Sequence, residues 1–257
     1  MLVTNSEKEG KHMKLIRALD YRDASQKAAD AIAVQIAHKP NTVLGLATGG
    51  SPVGIYESLI EKYRNGLDFS QVRTVNLDEY VGLTPQHPQS YAYYMNANLF
   101  NHINIAQENI HIPDGTDADT EKQSEAYDQI IRELGGIDLQ LVGIGHNGHI
   151  GFNEPSTSFT KGTHCVDLAD TTIAANARFF ECEADVPRKA YTMGIQHIMQ
   201  AKKVVMIVCG SDKAKILQEA FFGPVTPAVP ASILQFHPDF TLVADEDALQ
   251  YFIENSP

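Results

Sequence analysis

Residues 141–155 read LVGIGHNGHIGFNEP, an apolar strand that runs into a turn rich in glycine and in polar side chains. The polar residues of the turn are His146, Asn147, His149, Asn153 and Glu154. Glycine leaves room for a ligand to approach the backbone, and Pro155 prevents a helix from forming early in the segment. Because core packing does not require this concentration of polar groups, the stretch predicts a turn that presents side chains to a ligand.

The turn also contains a weak match to a dinucleotide-binding motif. Gly143, Gly145 and Gly148 satisfy the pattern G-x-G-x-x-G, which normally follows the first strand of a βαβ unit and opens a helix. Here the strand lies in the middle of the chain, and Gly151 and Pro155 interrupt the segment where the helix would be. The sequence therefore argues against a nicotinamide or flavin cofactor.

A metal site is a second alternative for this turn. His146, His149 and Glu154 are residue types that ligate metals, but their spacing matches no standard zinc pattern. The simplest alternative is a polar loop whose histidines are hydrogen-bonded and have no chemical role. The number of polar residues at one strand end favours a functional turn over that alternative.

Length and composition limit the function classes. The chain has 257 residues, of which 43% are hydrophobic, and no change in composition divides it, so we expect one domain with a substantial core. Its net charge of -12 disfavours nucleic acid as a partner, because phosphate backbones need clustered Lys and Arg. An anionic small ligand would therefore need a locally basic site.

Cysteine usage and hydropathy predict a protein of the cytoplasm. Cys165, Cys182 and Cys209 are scattered without a C-x-x-C pair, and residues 1–13 lack the apolar core of a signal peptide. No apolar run approaches the roughly 20 residues of a membrane span. Residues 1–12 are polar and aperiodic, so we expect a disordered leader before a domain of residues 13–257.

Apolar strands and amphipathic helices alternate along the chain. This alternation predicts a single-domain α/β fold with a Rossmann-like, mostly parallel sheet covered by helices on both faces. Strands are predicted to start at Met13 and to cover residues 43–47, 74–77, 137–144, 164–168, 204–209 and, at an edge of the sheet, 241–244; helices are predicted at 24–37, 53–64, 171–180 and 214–222.

Two strand ends carry features suited to an anion. The strand at 43–47 leads into Gly49, Gly50 and Ser51, where Ser51 is a good N-cap and the amides of the following helix would face a phosphate. No P-loop lysine is present, so a single phosphate or sugar hydroxyls fit better than a triphosphate, and a plain βα turn remains the alternative. Lys213 opens the helix at 214–222, where a cation opposes the helix dipole unless an anion shares the site.

Asp78 and Glu79 follow the strand at 74–77. Adjacent residues of an extended segment point to opposite faces, so we expect one of the two carboxyl groups to face the site. A solvated acidic pair is the alternative. Pro and Gly residues flank the segment that carries Arg178, and we expect residues 168–187 to include a mobile lid.

Taken together, five motifs resemble the glucosamine-6-phosphate deaminase family, also called glucosamine-6-phosphate isomerase. They are LATGGSP at 46–52, NLDEY at 76–80, GIGHNGHIGFNEP at 143–155, ANARFF at 175–180 and GSDKA at 210–214. The resemblance covers nearly the whole chain from Met13, and the central motif is highly specific. The related 6-phosphogluconolactonases share the fold but lack the combination of NLDEY with GHIGFNEP.

The resemblance implies a reaction and a set of roles. The family converts glucosamine 6-phosphate and water to fructose 6-phosphate and ammonium without a metal or an organic cofactor. The implied roles are proton transfer between carbons 2 and 1 for Asp78, ring opening for His149 with Asn147 and Glu154 as its partners, and phosphate binding for Gly49, Gly50, Ser51, Arg178 and Lys213. A carboxylate and an imidazole suit these proton transfers.

This chain departs from the family pattern at two places. Some members have Asp at the position of Asn147, and an amide holds an imidazolium less strongly, so ring opening would depend more on Glu154. Members activated by an acetylated amino sugar phosphate carry Arg and Lys where this chain has His164 and Val166. We therefore expect no such activation here.

Two other function classes remain open. Sugar-phosphate lactone hydrolysis would use the same anion site and His149 but would give Asp78 and Glu79 no proton to move. A non-catalytic sugar-phosphate sensor would bind the ligand without turning it over. The expected partner in each case is a small sugar phosphate rather than nucleic acid or membrane, and the sequence leaves a homo-oligomer open.

Overall fold

The computed structural model describes residues 13–117, 119–168, 173, 180 and 186–254. The expected leader at 1–12 and the phosphate-binding candidate Arg178 lie outside the described residues. So does most of the expected lid at 168–187.

Seven parallel strands form the main sheet, in the order β1-β10-β9-β6-β2-β3-β5. These strands are β1 (Met13–Ala18), β2 (Val43–Leu46), β3 (Arg73–Asn76), β5 (Ile110–His111), β6 (Leu139–Val142), β9 (Val204–Val208) and β10 (Phe240–Asp245). Every residue of β2, β6 and β9 is buried. Because successive side chains point to opposite faces, both faces of the sheet are covered. The prediction of a mostly parallel α/β sheet is confirmed.

Helices in the connections supply this cover. They are α1 (Tyr21–His38), α2 (Val53–Arg64), α3 (Tyr91–Asn98), α4 (Thr120–Glu133), α5 (Ile195–Gln200), α6 (Ala214–Phe222) and α7 (Gln250–Glu254). In α1, the fully buried Ala28, Ile32 and Ile36 recur at helical spacing. Asp20 caps the start of α1 by accepting a hydrogen bond from the Asp23 amide at 2.8 Å. The helix predicted at 24–37 is confirmed and begins one turn earlier because of this cap.

A second, smaller sheet was not predicted. It is antiparallel, with the order β4-β8-β7, and consists of β4 (Asp78–Tyr80), β8 (Lys189–Thr192) and β7 (His164–Asp167). Tyr80, Phe152 and Ala190 belong to a hydrophobic cluster beside this sheet, separate from the main core. The short strand predicted at 164–168 is confirmed, and it pairs in this sheet.

Leu77 joins the two sheets. Its amide donates to the carbonyl of Leu46 at 3.0 Å, and its own carbonyl accepts from the amide of Met193 at 2.6 Å. The segment expected to be one strand ending in an acidic pair is thus divided at Leu77, and Asp78 is the first residue beyond the division.

The prediction that the strand at 241–244 lies at an edge of the main sheet is wrong. β10 lies between β1 and β9, and five of its six residues are buried. The N-terminal strand β1 forms that edge instead, because it adds to the outside of β10 in parallel register. Within the part of the chain that the structure describes, no helix has the length and hydrophobicity needed to span a bilayer.

Candidate active site

The central turn folds back on itself after β6. The amide of Gly145 donates to the carbonyl of His149 at 2.9 Å, and the amide of Gly148 donates to the carbonyl of Gly145 at 3.0 Å. Residues 143–163 are all described and contain no helix. Since a dinucleotide motif must open a helix, the structure agrees with the sequence in rejecting that interpretation.

The imidazole of His149 lies directly over Gly145. A Cβ atom at position 145 would overlap the ring atoms Cε1, Nε2 and Nδ1 of His149. Glycine is therefore required at this position by the place of the ring and not by the local turn alone. The central turn therefore does two things: it contains His149, and through Gly145 it leaves the space that the imidazole ring occupies.

Asn147 and Glu154 lie beside His149, as the resemblance implied. The Asn147 amide donates from Nδ2 to Oε2 of Glu154 at 2.6 Å and accepts the His149 backbone N–H at Oδ1, 3.2 Å away. The same Glu154 oxygen lies 3.5 Å from Nδ1 of His149. This distance is too long for a normal hydrogen bond, so the contact is chiefly electrostatic. A carboxylate at this position stabilises an imidazolium, which a general acid requires.

Asp78 reaches the same turn from β4. It pairs with Thr192 across the small sheet. Gly151, with a φ of 59°, passes so close to this pair that a Cβ atom there would lie 2.9 Å from Oγ1 of Thr192 and 3.5 Å from Oδ2 of Asp78. Because Gly151 is two residues from His149, the carboxyl of Asp78 and the imidazole turn meet at one place.

Burial makes Asp78 a weak acid. Its Oδ1 atom is buried without a hydrogen-bond partner among the described residues. Burial, followed by the nearby charge of Glu79, raises the pKa of Asp78 to about 8, while a hydrogen bond with the Thr48 hydroxyl acts in the opposite direction. A carboxyl group with a pKa near neutrality can both accept and return a proton, which suits general acid–base chemistry.

Glu79 faces away from the site, so the expectation that one carboxyl of the pair would face it is confirmed. Its carboxylate accepts the backbone amides of Tyr80, Tyr91 and Ala92 at 2.8–2.9 Å, of which the last two lie in the first turn of α3. Burial raises the pKa of Glu79 to about 7, against the effect of these three hydrogen bonds. Glu79 therefore anchors α3 and contributes charge behind Asp78.

Gly49, Gly50 and Ser51 form an exposed turn between β2 and α2. The prediction that Ser51 caps α2 is wrong: the residue before the helix is Pro52, which already has helical backbone angles and provides no side-chain cap. The amide of Gly54, which a Ser51 cap could accept, donates instead to the hydroxyl of Tyr21 at 2.8 Å. The side chain of Thr48, the residue before this turn, was not selected from the sequence, and it lies near enough to Asp78 to act on the pKa of its carboxyl group.

Lys213 lies beside the start of the central turn. It immediately precedes α6, and its Nζ donates to the carbonyl of Ile144 at 3.0 Å. The neighbouring Asp212 accepts from Nε2 of His146 at 2.7 Å. These two contacts hold the turn after β9 against the turn after β6, so Lys213 supplies positive charge at the edge of the site.

The metal interpretation of the central turn gains no geometric support. His146 turns outward to Asp212, whereas His149 and Glu154 face each other. Among the residues that the structure describes, no three His, Cys, Asp or Glu side chains are grouped as metal ligands.

Two further side chains shape the site: Asn153, which the sequence placed among the polar residues of the turn without a role, and Thr192, which was not selected from the sequence. Asn153 donates from Nδ2 to the carbonyls of Ile150 and Met193, each at 2.9 Å. Thr192 accepts the amide of Phe152 at 3.0 Å. Both bind the central turn to the end of β8. Their roles could not be read from the sequence, because β8 and the central turn are distant along the chain and the sequence does not show that they are in contact.

Comparison with known proteins agrees with this geometry. Residues 19–242 match the family model described as glucosamine-6-phosphate isomerases/6-phosphogluconolactonase. The glucosamine-6-phosphate deaminase of Lachnoclostridium phytofermentans is 60% identical over 232 residues, covering 90% of this chain and 98% of that protein. That of Geobacillus sp. (strain WCH70) is 54% identical, covering 92% and 95%.

Solved structures show the same relationship. A monomeric glucosamine-6-phosphate deaminase superimposes with a TM-score of 0.90 at 44% identity, covering 93% of this chain and 99% of that one. The 6-phosphogluconolactonase of Plasmodium vivax has a TM-score of 0.72 at 20% identity, covering 95% and 94%. At that identity the second similarity concerns the fold alone.

Proposed function

This chain belongs to the family of glucosamine-6-phosphate isomerases and 6-phosphogluconolactonases, and we propose that it is an enzyme of the deaminating branch. It converts glucosamine 6-phosphate and water to fructose 6-phosphate and ammonium. Relatives named as this deaminase are 52–60% identical over at least nine-tenths of the chain. The observation that carries the proposal is the buried carboxyl of Asp78 beside the turn that presents His149.

Ring opening is the first step of the proposed mechanism. His149 donates a proton to the ring oxygen as its bond to carbon 1 breaks, and the proton of the hydroxyl on carbon 1 passes to solvent, which leaves the open-chain aldehyde. Glu154, 3.5 Å from Nδ1 of the imidazole, stabilises the protonated form. Asn147 holds both groups in place through its two hydrogen bonds. The uncharged amide makes Glu154 the main electrostatic partner of His149.

Proton transfer within the open-chain sugar is the second step. The ionised carboxyl of Asp78 removes the proton from carbon 2 while the aldehyde oxygen on carbon 1 takes a proton from solvent, which gives an enolamine; Asp78 then returns its proton to carbon 1. The product is the 2-imine of fructose 6-phosphate, and water then adds to carbon 2 and displaces ammonia, which leaves as ammonium. The raised pKa of Asp78 makes the carboxyl a stronger base than an ordinary aspartate.

The phosphate of the substrate binds at the turn of Gly49, Gly50 and Ser51, with Lys213 and Arg178 as its charged partners. The exposed backbone of this turn, at the N-terminal end of α2, and the positive charge of Lys213 support this assignment. Together they supply the local attraction for a dianion that a protein of net charge -12 otherwise lacks.

The role we propose in the cell is amino sugar catabolism, in particular the use of N-acetylglucosamine, in the cytoplasm. Cys165 and Cys209 are free thiols, which is compatible with a reducing compartment. The mechanism above uses no organic cofactor or metal, since its steps are proton transfers by carboxyl, imidazole and water and the addition of water to an imine. A homo-oligomer remains compatible with this scheme because each site residue comes from one chain.

Ammonium release tests the proposal. Purified protein is mixed with glucosamine 6-phosphate and a chelator, and ammonium and fructose 6-phosphate are assayed together. Equal release of both products is expected. Hydrolysis of 6-phosphogluconolactone without ammonium release would favour the lactonase alternative, and tight binding without turnover would favour a sensor.

A further inference from the structure

Two tyrosine hydroxyls hold the backbone of the glycine turn after β2. The hydroxyl of Tyr94, on α3, donates to the carbonyl of Gly49 at 2.6 Å. The hydroxyl of Tyr21, on α1, donates to the carbonyl of Gly50 at 3.1 Å. Consecutive peptide groups of the turn are thus held by side chains from two different helices.

Because peptide groups are planar, fixing the two carbonyl groups also fixes the direction of the N–H bonds in the same peptide groups. In a planar trans peptide the C=O and N–H bonds point in opposite directions. The amides of Gly50 and Ser51 belong to the same peptide groups as the two held carbonyls, so they point away from the tyrosines. All three turn residues are exposed, and a Cβ atom at Gly49 or Gly50 would meet no heavy atom within 4 Å. The space on the turn is open to a ligand.

Helix packing fixes the place of Tyr21. Its hydroxyl also accepts the amide of Gly54 at 2.8 Å. A Cβ atom at Gly54 would lie 2.6 Å from Oγ of Ser25 and 3.2 Å from Cε1 of Tyr21. The close contact of α1 with α2 at this glycine therefore brings the phenol ring under the turn, and the ring position does not depend on a ligand.

Both ends of the turn are consequently anchored. Tyr94 is the deeper of the two phenols, and burial raises its pKa, so its hydroxyl keeps the proton that it donates. An anion site whose donors are already oriented loses less entropy on binding than a mobile loop does.

We propose that Tyr21 and Tyr94 are positioning residues that aim the amides of Gly50 and Ser51 at the phosphate of the substrate. This inference rests on the proposed function, because it assigns the ligand of the turn to the phosphate group of a sugar. Neither phenol touches the substrate. Their effect is on binding of the anionic end and not on proton transfer at carbons 1 and 2.

The test compares Tyr94→Phe, Tyr21→Phe and the double variant with wild type. Tyr93→Phe, at an exposed position of the same helix, is the matched control. For each protein we would measure kcat and KM for glucosamine 6-phosphate and the competitive inhibition constant of inorganic phosphate. One lost hydrogen bond corresponds to about a three- to ten-fold change in binding. We expect KM and the inhibition constant to rise by about that factor in each single variant, with kcat within about two-fold of wild type.

A second readout follows the amides themselves. In wild type, titration with inorganic phosphate is expected to shift the amide resonances of Gly50 and Ser51, and the shift at equal phosphate should be smaller in Tyr94→Phe. Unchanged KM and phosphate inhibition in both single variants, or a fall in kcat alone, would overturn the inference. A lowered melting temperature with unchanged KM would show that the phenols act only on stability.

The two proposals fail in different ways. If wild type releases no ammonium, the proposed function is wrong, whereas the phosphate titration still reports on the turn. If wild type is active and Tyr94→Phe binds substrate and phosphate as wild type does, the positioning role alone is wrong.

Discussion

Gly145 and His149 are in direct contact across the central turn, with the imidazole ring occupying the space that any Cβ atom at Gly145 would need. The backbone hydrogen bond from Gly145 to His149 closes the same turn. If a Cβ atom were added at Gly145, the His149 ring would therefore have to move, because the hydrogen bond holds the backbone of the turn in place.

Gly145→Ala is expected to displace the imidazole and lower kcat/KM by about 10²-fold, the lower end of the usual contribution from one acid–base group. Gly143→Ala is the matched comparison, since a Cβ atom there meets no heavy atom within 4 Å. Steady-state kinetics of both variants check the prediction. Equal losses in the two would mean that turn flexibility, and not ring position, limits activity.

Asp78→Asn is expected to retain binding of glucosamine 6-phosphate and to lose proton exchange at carbon 2. The amide keeps the size of the buried side chain but cannot accept a carbon-bound proton. Exchange is followed by NMR in deuterated water, and binding by calorimetry. Persistent exchange in this variant would identify another group as the base.

Glu79→Gln is expected to move the acidic limb of the kcat/KM profile to lower pH. The base must be ionised to act, so activity rises with pH through the pKa of Asp78, which burial and the charge of Glu79 raise to about 8. Removing that charge lowers the pKa of Asp78 and brings ionisation to lower pH. Glu57→Gln on the exposed face of α2 serves as the control and should leave the limb in place.

Asn147→Asp tests how the uncharged side chain at position 147 affects the imidazole of His149. The side-chain nitrogen of Asn147 lies 2.6 Å from Oε2 of Glu154, and that oxygen lies 3.5 Å from Nδ1 of His149. An introduced carboxylate would therefore lie against Glu154, one atom away from the imidazole. Added negative charge should favour the charged form of the catalytic imidazole and move the alkaline limb of the kcat/KM profile to higher pH. The pH dependence of kcat/KM measures this, and an unchanged profile would show that the position is electrostatically remote from the ring.

N-acetylglucosamine 6-phosphate is expected not to activate the enzyme. A cavity of about 250 Å³ lies behind the central turn, and the charged side chains that line it are Glu154 and Asp167, without a described Lys or Arg. Burial lowers the pKa of His164, the basic group of the cavity. Saturation curves with and without the compound should coincide; a change from sigmoidal to hyperbolic would contradict this prediction.

The main sheet was predictable because its strands are local, continuous apolar runs. Val204–Val208 illustrates this, since a strand buried on both faces must be apolar throughout. The small sheet was not predictable in the same way. β4 has three residues and reads as an acidic strand end, and its partner β8 comes from a distant part of the chain. Strand periodicity contains no information about such pairing.

The site was predictable to the extent that its groups follow strand ends. Asp78, His149 and Glu154 were selected on this basis or by resemblance, and the structure brings them together. Contacts made by helix packing were not accessible. Tyr94 lies in a stretch rich in tyrosine, and the bond of its hydroxyl to Gly49 depends on where α3 lies against the turn. Tyr21 depends similarly on the approach of α1 to α2.

Leu77 belongs to the hydrogen-bond networks of both sheets, and Asp78, the base that we propose, follows it directly. The two sheets therefore cannot shift relative to one another without breaking a backbone hydrogen bond beside Asp78. Insertion or deletion of a single residue at this seam would rotate the acid out of reach while leaving the core intact. An insertion or deletion next to Leu77 is thus the smallest change in chain length that is expected to give a folded but inactive protein.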